Sequence, residues 1–208
     1  MKGNSADNII FEVVSDGNVE QCRDLCNELM AFQKAQATIA PEIFDGMKFE
    51  TRLLSTFINS PVNQLIVAKE GDTPIAYIFS TIENVADGDK SAIPEWAPVK
   101  EGEKALGFYP PWDNFPTKVG CLNHLYIRDG YRGCGLGRKL LEQAMAWLTS
   151  FVDVNLTFVY ISNGNHAALD FYLKHGFTFS HDVFGGFIQA AYKIRVATLR
   201  ETKKCFTK

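Results

Sequence analysis

A strand-like apolar run over residues 118–127 (KVGCLNHLYI) leads into a turn with glycine at every second position. Gly133, Gly135 and Gly137 follow Arg132, and a helix-like pattern begins near Leu140. Few folded arrangements accommodate that order. The first helical N–H groups lack intrahelical partners and the helix dipole favours negative charge, so strand, glycine turn and helix start together form an anion site. Glycine permits positive φ and leaves out the Cβ that would hold a phosphate away. Arg132, Arg138 and Lys139 add full positive charges. The competing reading is a sharp connection that binds nothing. The dinucleotide fingerprint requires G-x-G-x-x-G, whereas this run is G-x-G-x-G, and the Walker loop's spacing is absent as well. An unrelated nucleotide-binding protein stays open as a reading of the turn by itself.

The rest of the chain predicts an α/β domain. Residues 9–14 read as a strand, and Asn18 with Gln21 three positions on suggests a capping box. A helix should follow, carrying Val19, Cys22, Cys26, Leu29 and Phe32 on one face until Pro41. A shorter helix is expected over 49–58, then a hairpin of 64–70 and 75–82 across a GDTP turn. The glycine turn opens a helix reaching about residue 151; a strand over 156–162 and a helix over 165–175 come next. A closing hairpin turns at Gly185 and Gly186. The pattern implies one domain over 1–208, a mixed sheet with helices on its faces.

Residues 84–117 interrupt this rhythm. They hold five of the eight prolines and two of the three tryptophans, which argues for an ordered excursion rather than a flexible linker. The net charge of -3 argues against a nucleic-acid partner. No apolar stretch approaches the roughly 20 residues that a membrane span needs, and the polar start has no leader-like run; a cytoplasmic location is expected. The five cysteines form no C-x-x-C pair. Cys22 and Cys26 could share a helix face, but with no third ligand nearby no metal is expected.

Arg132-x-x-Gly135-x-Gly137 resembles the R/Q-x-x-G-x-G/A signature of the GNAT superfamily of N-acetyltransferases. The stretch from Asn165 to Phe177, NHAALDFYLKHGF, is similar to the family's second motif: Asn165, Ala168, Tyr172, Gly176 and Phe177 all fall in place. The resemblance implies a mostly antiparallel central sheet with one splayed parallel pair, helices on both faces, and acetyl-CoA as acyl donor. It implies that pantetheine lies along Leu125, Tyr126 and Ile127. It also implies that the amides from Gly133 through Cys134, Gly135, Leu136 and Gly137 to Arg138, with Arg132, hold the pyrophosphate. Asn165 would sit beside the pantetheine arm, or cap its helix, or both. Tyr172 looks like the tyrosine that protonates the departing thiolate.

The base is left open. Many relatives have a glutamate where this chain has Asn123, which can orient a water but not take a proton usefully. His124 has a suitable pKa range but should point to the opposite face by strand alternation; Glu83 is the third candidate. His166, His175 and His181 read as surface or cap residues. Residues 84–117 carry six acidic side chains, Asp87, Asp89, Glu95, Glu101, Glu103 and Asp113. With their aromatics and the 41–58 region they are expected to line an acceptor site, although a solvated loop or a dimer contact also fits. The expected activity is acetyl transfer to a primary amine by direct attack in a ternary complex. A small-molecule amine is the favoured acceptor over a protein N-terminus, and a homodimer is left open. The alternative is a non-catalytic acyl-CoA-binding sensor that kept the cradle without a base.

Overall fold

Strands β2 (Asn63–Glu70) and β3 (Thr73–Asn84) form a hairpin inside the sheet, and their alternation is what places helices on both faces. Leu65, Val67, Tyr77 and Phe79 are buried toward one side, Ile66, Ala68, Ala76 and Ile78 toward the other. The computed structural model describes residues 8–14, 18–90 and 92–195; residues 1–7 and Cys205 lie outside them. The strand order is β1-β2-β3-β4-β5-β7-β6, with β1 (Ile9–Val13), β4 (Lys118–Ile127), β5 (Leu156–Ser162), β6 (Thr178–Val183) and β7 (Ile188–Ile194). Every pairing is antiparallel except β4 with β5.

Helix α1 (Arg23–Gln36) covers the first face. The capping box expected at Asn18 and Gln21 does not form: a 3-10 turn, Val19–Cys22, precedes the helix, and no side chain caps it. Instead the Gln21 amide donates to the Asn18 carbonyl at 3.0 Å. A cap is worth about 1 kcal/mol. Burial of Leu25, Leu29 and Met30 contributes about 1.5–3 kcal/mol per side chain, so packing alone suffices to dock α1. Cys22 and Cys26 lie in the same core cluster, and burial pushes the Cys22 thiol up to about 12. Glu28 grips Arg128, just past β4, through contacts of 2.7 to 3.2 Å, fixing α1 across the end of that strand. The helix expected over 49–58 is a π-helical turn, Glu50–Leu54, continued as α2 (Ser55–Asn59).

Helices α3 (Leu136–Leu148) and α4 (His166–Lys174) cover the second face. Residues 84–117 contain one short 3-10 turn, Asp87–Lys90, and cross the first face beyond α1. Tyr109 and Phe115 pack on Val119, Cys121 and Phe158, and the His181 ring bonds to the Gly107 carbonyl at 2.9 Å. His181 is therefore buried, not a surface residue. The β5–α4 turn joins the halves of the molecule. Asn163 Oδ1 accepts from the amides of Thr38 (2.6 Å) and Ile39 (2.8 Å) just after α1, while its Nδ2 donates to the Phe187 carbonyl at 3.0 Å.

Candidate active site

The parallel β4–β5 contact is short: Gly120, Cys121 and Leu122 pair with Thr157, Phe158 and Val159, and the strands then separate. β5 continues on β7 to Ser162, and β4 continues on β3 to Ile127, leaving a gap between them. A β-bulge in β4 coincides with the separation. Leu122 pairs with Ser80 and His124 with Phe79, so Asn123 is the extra residue. The bulge resets the alternation. Asn123 Nδ2 donates to Thr81 Oγ1 at 2.8 Å, and His124 Nδ1 lies 3.0 Å from the Tyr77 hydroxyl, so both side chains serve the same face of the sheet. The opposite-face placement expected for His124 fails for this reason.

The backbone of β4 past the bulge is open toward the gap at alternate residues. Arg128 N–H bonds to the Ile75 carbonyl at 2.9 Å. By antiparallel alternation Tyr126 and His124 also bond to β3, while Leu125 and Ile127 turn their amides and carbonyls outward. They face a cleft of about 220 Å³ whose walls include Leu29 and Phe32 of α1 and Ala168, Phe171 and Tyr172 of α4. Tyr126, Arg132, Gly137 and Asn165 complete the lining among the residues that the sequence singles out.

The glycine turn stands beside this cleft. Gly133 (φ +79°) and Gly135 (φ +83°) are left-handed, and no atom lies within 4 Å of where a Cβ would sit on either. Among the described residues, no N–H from Gly133 to Arg138 has a hydrogen-bond partner, and no side chain caps α3. Gly137 serves differently: a Cβ there would meet Ile127 Cδ1 at 3.1 Å, so its smallness lets α3 approach β4. Leu136 is buried in the core beneath. The Arg132 side chain is occupied in holding the turn. It bonds to the Ile127 carbonyl (2.9 Å) and to Asp129 (2.9 Å), and its guanidinium lies 4.7 Å from the Phe32 ring centroid. Arg138 pairs with Glu142 at 2.7 Å on the exposed side of α3, and the exposed Cys134 thiol donates to the Tyr131 carbonyl.

Asn165 does two things. Its side chain accepts from the Ala168 amide at 3.2 Å as the N-cap of α4, and it also borders the cleft. Two turns further along, Tyr172 is buried, and its hydroxyl makes no hydrogen bond among the described residues. Burial raises its pKa above the ordinary phenol value.

A narrow opening between the splayed strands is bordered by Leu125, Asn165 and Tyr172 on the cleft side, and by Gln33, Asn123 and Ser162 beyond. Those last three also line a second cavity, of about 270 Å³, on the first face of the sheet. Its walls join the 41–58 region (Phe44, Met47, Arg52) to the excursion (Trp96, Phe108, Tyr109). Its carboxylate is Glu83, at the end of β3, which accepts from Thr81 (2.9 Å) and from the Tyr109 hydroxyl (2.9 Å). The six acids of the excursion are all exposed, and none lines the cavity; the excursion contributes its aromatics alone. Sequence reasoning also missed Gln33, Arg52 and Ser162, because nothing in their spacing signals a shared cavity.

His124 borders the opening, but burial and the Arg52 charge lower its pKa to about 3. It is neutral at pH 7 and a weak proton acceptor. Its folded pKa lies below the unfolded value of about 6.5, so the unfolded chain takes the proton first. Stability is complete above pH 6.5 and falls as pH drops toward 3. Denaturant titration should show a loss of about 2 kcal/mol from this ring between pH 7 and pH 5, and His124→Gln should remove that share of the pH dependence. Among the described residues no cluster of His, Cys, Asp and Glu could hold a metal ion, and no helix is long and apolar enough to cross a membrane.

The model of the acetyltransferase (GNAT) family matches residues 29–177, a span that runs from within α1 through the opening, the glycine turn and α4. The fold is similar to that of PaiA N-acetyltransferase from Thermoplasma acidophilum in complex with coenzyme A. The TM-score is 0.59 at 16% identity, covering 90% of this chain and 99% of that one. It is also similar to a chain of the NatC complex bound to Gag peptide and CoA, with TM-score 0.55, 14% identity, and 91% and 99% coverage. Arabidopsis thaliana NAA60 in complex with acetyl-CoA gives TM-score 0.57 at 11% identity, with 91% and 99% coverage. No curated protein matches the sequence.

Proposed function

Since the chain belongs to the acetyltransferase (GNAT) family, we propose that it is an N-acetyltransferase acting on a primary amine, by direct attack while donor and acceptor are bound together. One observation carries this reading. The opening between β4 and β5 joins the cleft beside the free amides to the cavity holding Glu83, with Tyr172 on one side and Asn123 on the other. The family's donor, acetyl-CoA, supplies an acetyl thioester. The residues present fit it: the amides of residues 133–138 have no partner among the described residues, the space beside Gly133 and Gly135 is open, as a diphosphate requires, and the outward Leu125 carbonyl and Ile127 amide can bond an extended amide arm as an added strand would. Asn165, at the lip of the cleft, lies beside that arm.

The acceptor's ammonium must lose a proton before it can attack, at a cost of about 4 to 5 kcal/mol for a pKa near 10.4 at pH 7. Glu83 takes that proton through a water oriented by Asn123, whose amide N–H group is already committed to Thr81 and whose carbonyl is left for the water. The Leu125 amide faces the reacting carbonyl and stabilises the negative charge that develops there. Tyr172, kept protonated by its burial, donates to the leaving sulfur. The cavity's volume of about 270 Å³ supports a small amine as acceptor rather than a folded protein surface.

Thiol release from acetyl-CoA with a panel of amines tests the reading. Turnover is expected, and CoA binding with no turnover on any amine would favour the acyl-CoA sensor. Glu83→Gln keeps the shape and should lower kcat/KM about 10²–10⁴-fold at pH 7. The deficit should narrow as pH rises toward the amine's own pKa, where less deprotonation is needed. A Glu83→Gln enzyme within twofold of wild type would remove Glu83 from this role.

A further inference from the structure

The cavity beyond the opening contains an opposing charge that amine acetylation alone does not call for. Arg52, on the π-helical turn, lines it together with the excursion's aromatics. Among the described residues its guanidinium has no ion-pair or hydrogen-bond partner. Arg52 is exposed to solvent and borders the cavity, so its charge is open to a bound molecule. Burial first, and then its charge, lower the pKa of His124. Other arginines of this chain are differently placed: Arg23, Arg128, Arg132 and Arg138 each have a carboxylate within hydrogen-bond range.

A cavity with one carboxylate and one unpaired guanidinium suits a molecule carrying both charges. A simple amine or diamine is drawn by Glu83 and repelled by Arg52. A carboxylate on the acceptor offsets that repulsion and can take a two-pronged arginine contact. Phe44, Met47, Trp96, Phe108 and Phe187 give the cavity an apolar, mostly aromatic wall, beside a polar one of Gln33, Thr56, Asn123 and Ser162. We infer that the acceptor is an amine bearing its own carboxylate on an apolar body, a free amino acid with an aromatic or large aliphatic side chain, with Arg52 as the residue that recognises the carboxylate. This rests on the acetyl-transfer reading for its reaction but not for its binding partner.

Matched pairs separate the two. Phenylalanine and phenethylamine, and leucine and isoamylamine, differ only in the carboxylate. Each is titrated calorimetrically into the CoA-loaded protein and assayed for thiol release with acetyl-CoA. The amino acid of each pair should bind at least tenfold more tightly than its amine. Arg52→Gln should lower that ratio at least tenfold, chiefly through KM, and Arg52→Lys should recover part of it. The Tm and CoA affinity of each variant establish that the fold is intact. Amino-acid binding that depends on Arg52 without any turnover would uphold the ligand class and refute acetyl transfer. Equal or tighter binding of the amines, a ratio unmoved by Arg52→Gln, or no binding by either member of the pairs would overturn the inference.

Discussion

Replacing Tyr172 with phenylalanine should lower kcat about 10²–10⁴-fold at saturating acetyl-CoA and acceptor, the range for removing a positioned proton donor. The ring lies between the cleft and the opening, packed near Phe171 and Phe177, so phenylalanine keeps its packing and takes away only the hydroxyl. That hydroxyl has no partner among the described residues, so its removal orphans no buried group and should cost little stability. Burial holds the phenol protonated beyond the ordinary value of about 10, so the neutral form is the one the fold favours, and Tyr172 ionisation weakens the protein only above that pH. Any fall in wild-type kcat below pH 10 therefore belongs to another group. A Tyr172→Phe enzyme that keeps more than a third of wild-type kcat would show that the thiol leaves without this proton.

The largest effect on stability is expected at Gly164. A Cβ there would lie 1.9 Å from the Gln36 carbonyl oxygen, and the residue's φ is +78°. The left-handed conformation alone costs a non-glycine residue about 1–2 kcal/mol. The collision adds more, because the opposing atom is backbone at the end of α1, and that segment is tied to the same turn through Asn163. Relief requires α1 to part from the β5–α4 turn. Gly164→Ala should lose about 3 kcal/mol or more, a Tm drop of roughly 6–12 °C for a chain of this size. Gly135→Ala is the control: its φ is +83° with nothing within 4 Å of the new methyl, so only the conformational cost applies. If both variants melt alike, the close contact with α1 does not hold the halves together.

How much of this could be read from the chain follows from which forces are local. Strands β2 to β5 and helices α1, α3 and α4 follow apolar periodicity, and the glycine turn and its helix carry chemistry in spacing alone, so both were legible. The Asn18–Gln21 cap was misread because burial of Leu25 and Leu29 fixes α1 with or without it. The bulge at Asn123 leaves no mark in composition, yet one extra residue turns His124 onto the face of Asn123 and away from the side that alternation assigned. His181 looked like a surface residue because its partner, the Gly107 carbonyl, is distant in sequence. The second cavity was anticipated from the aromatics of 84–117 and the 41–58 region. Its charges were legible only in part: the carboxylate, Glu83, is one of the candidate bases, whereas nothing in the spacing of Arg52 signals the cation that the fold brings beside it.

The central claim is that the main chain of residues 133–138 holds a diphosphate while the β4–β5 gap delivers a thioester to Tyr172. A crystal structure with acetyl-CoA tests it most directly. The account predicts diphosphate oxygens within about 3 Å of those amides, the pantetheine arm bonded to the Leu125 carbonyl and the Ile127 amide, and the sulfur within hydrogen-bond reach of the Tyr172 hydroxyl. A diphosphate bound elsewhere, or a sulfur remote from that hydroxyl, would contradict it.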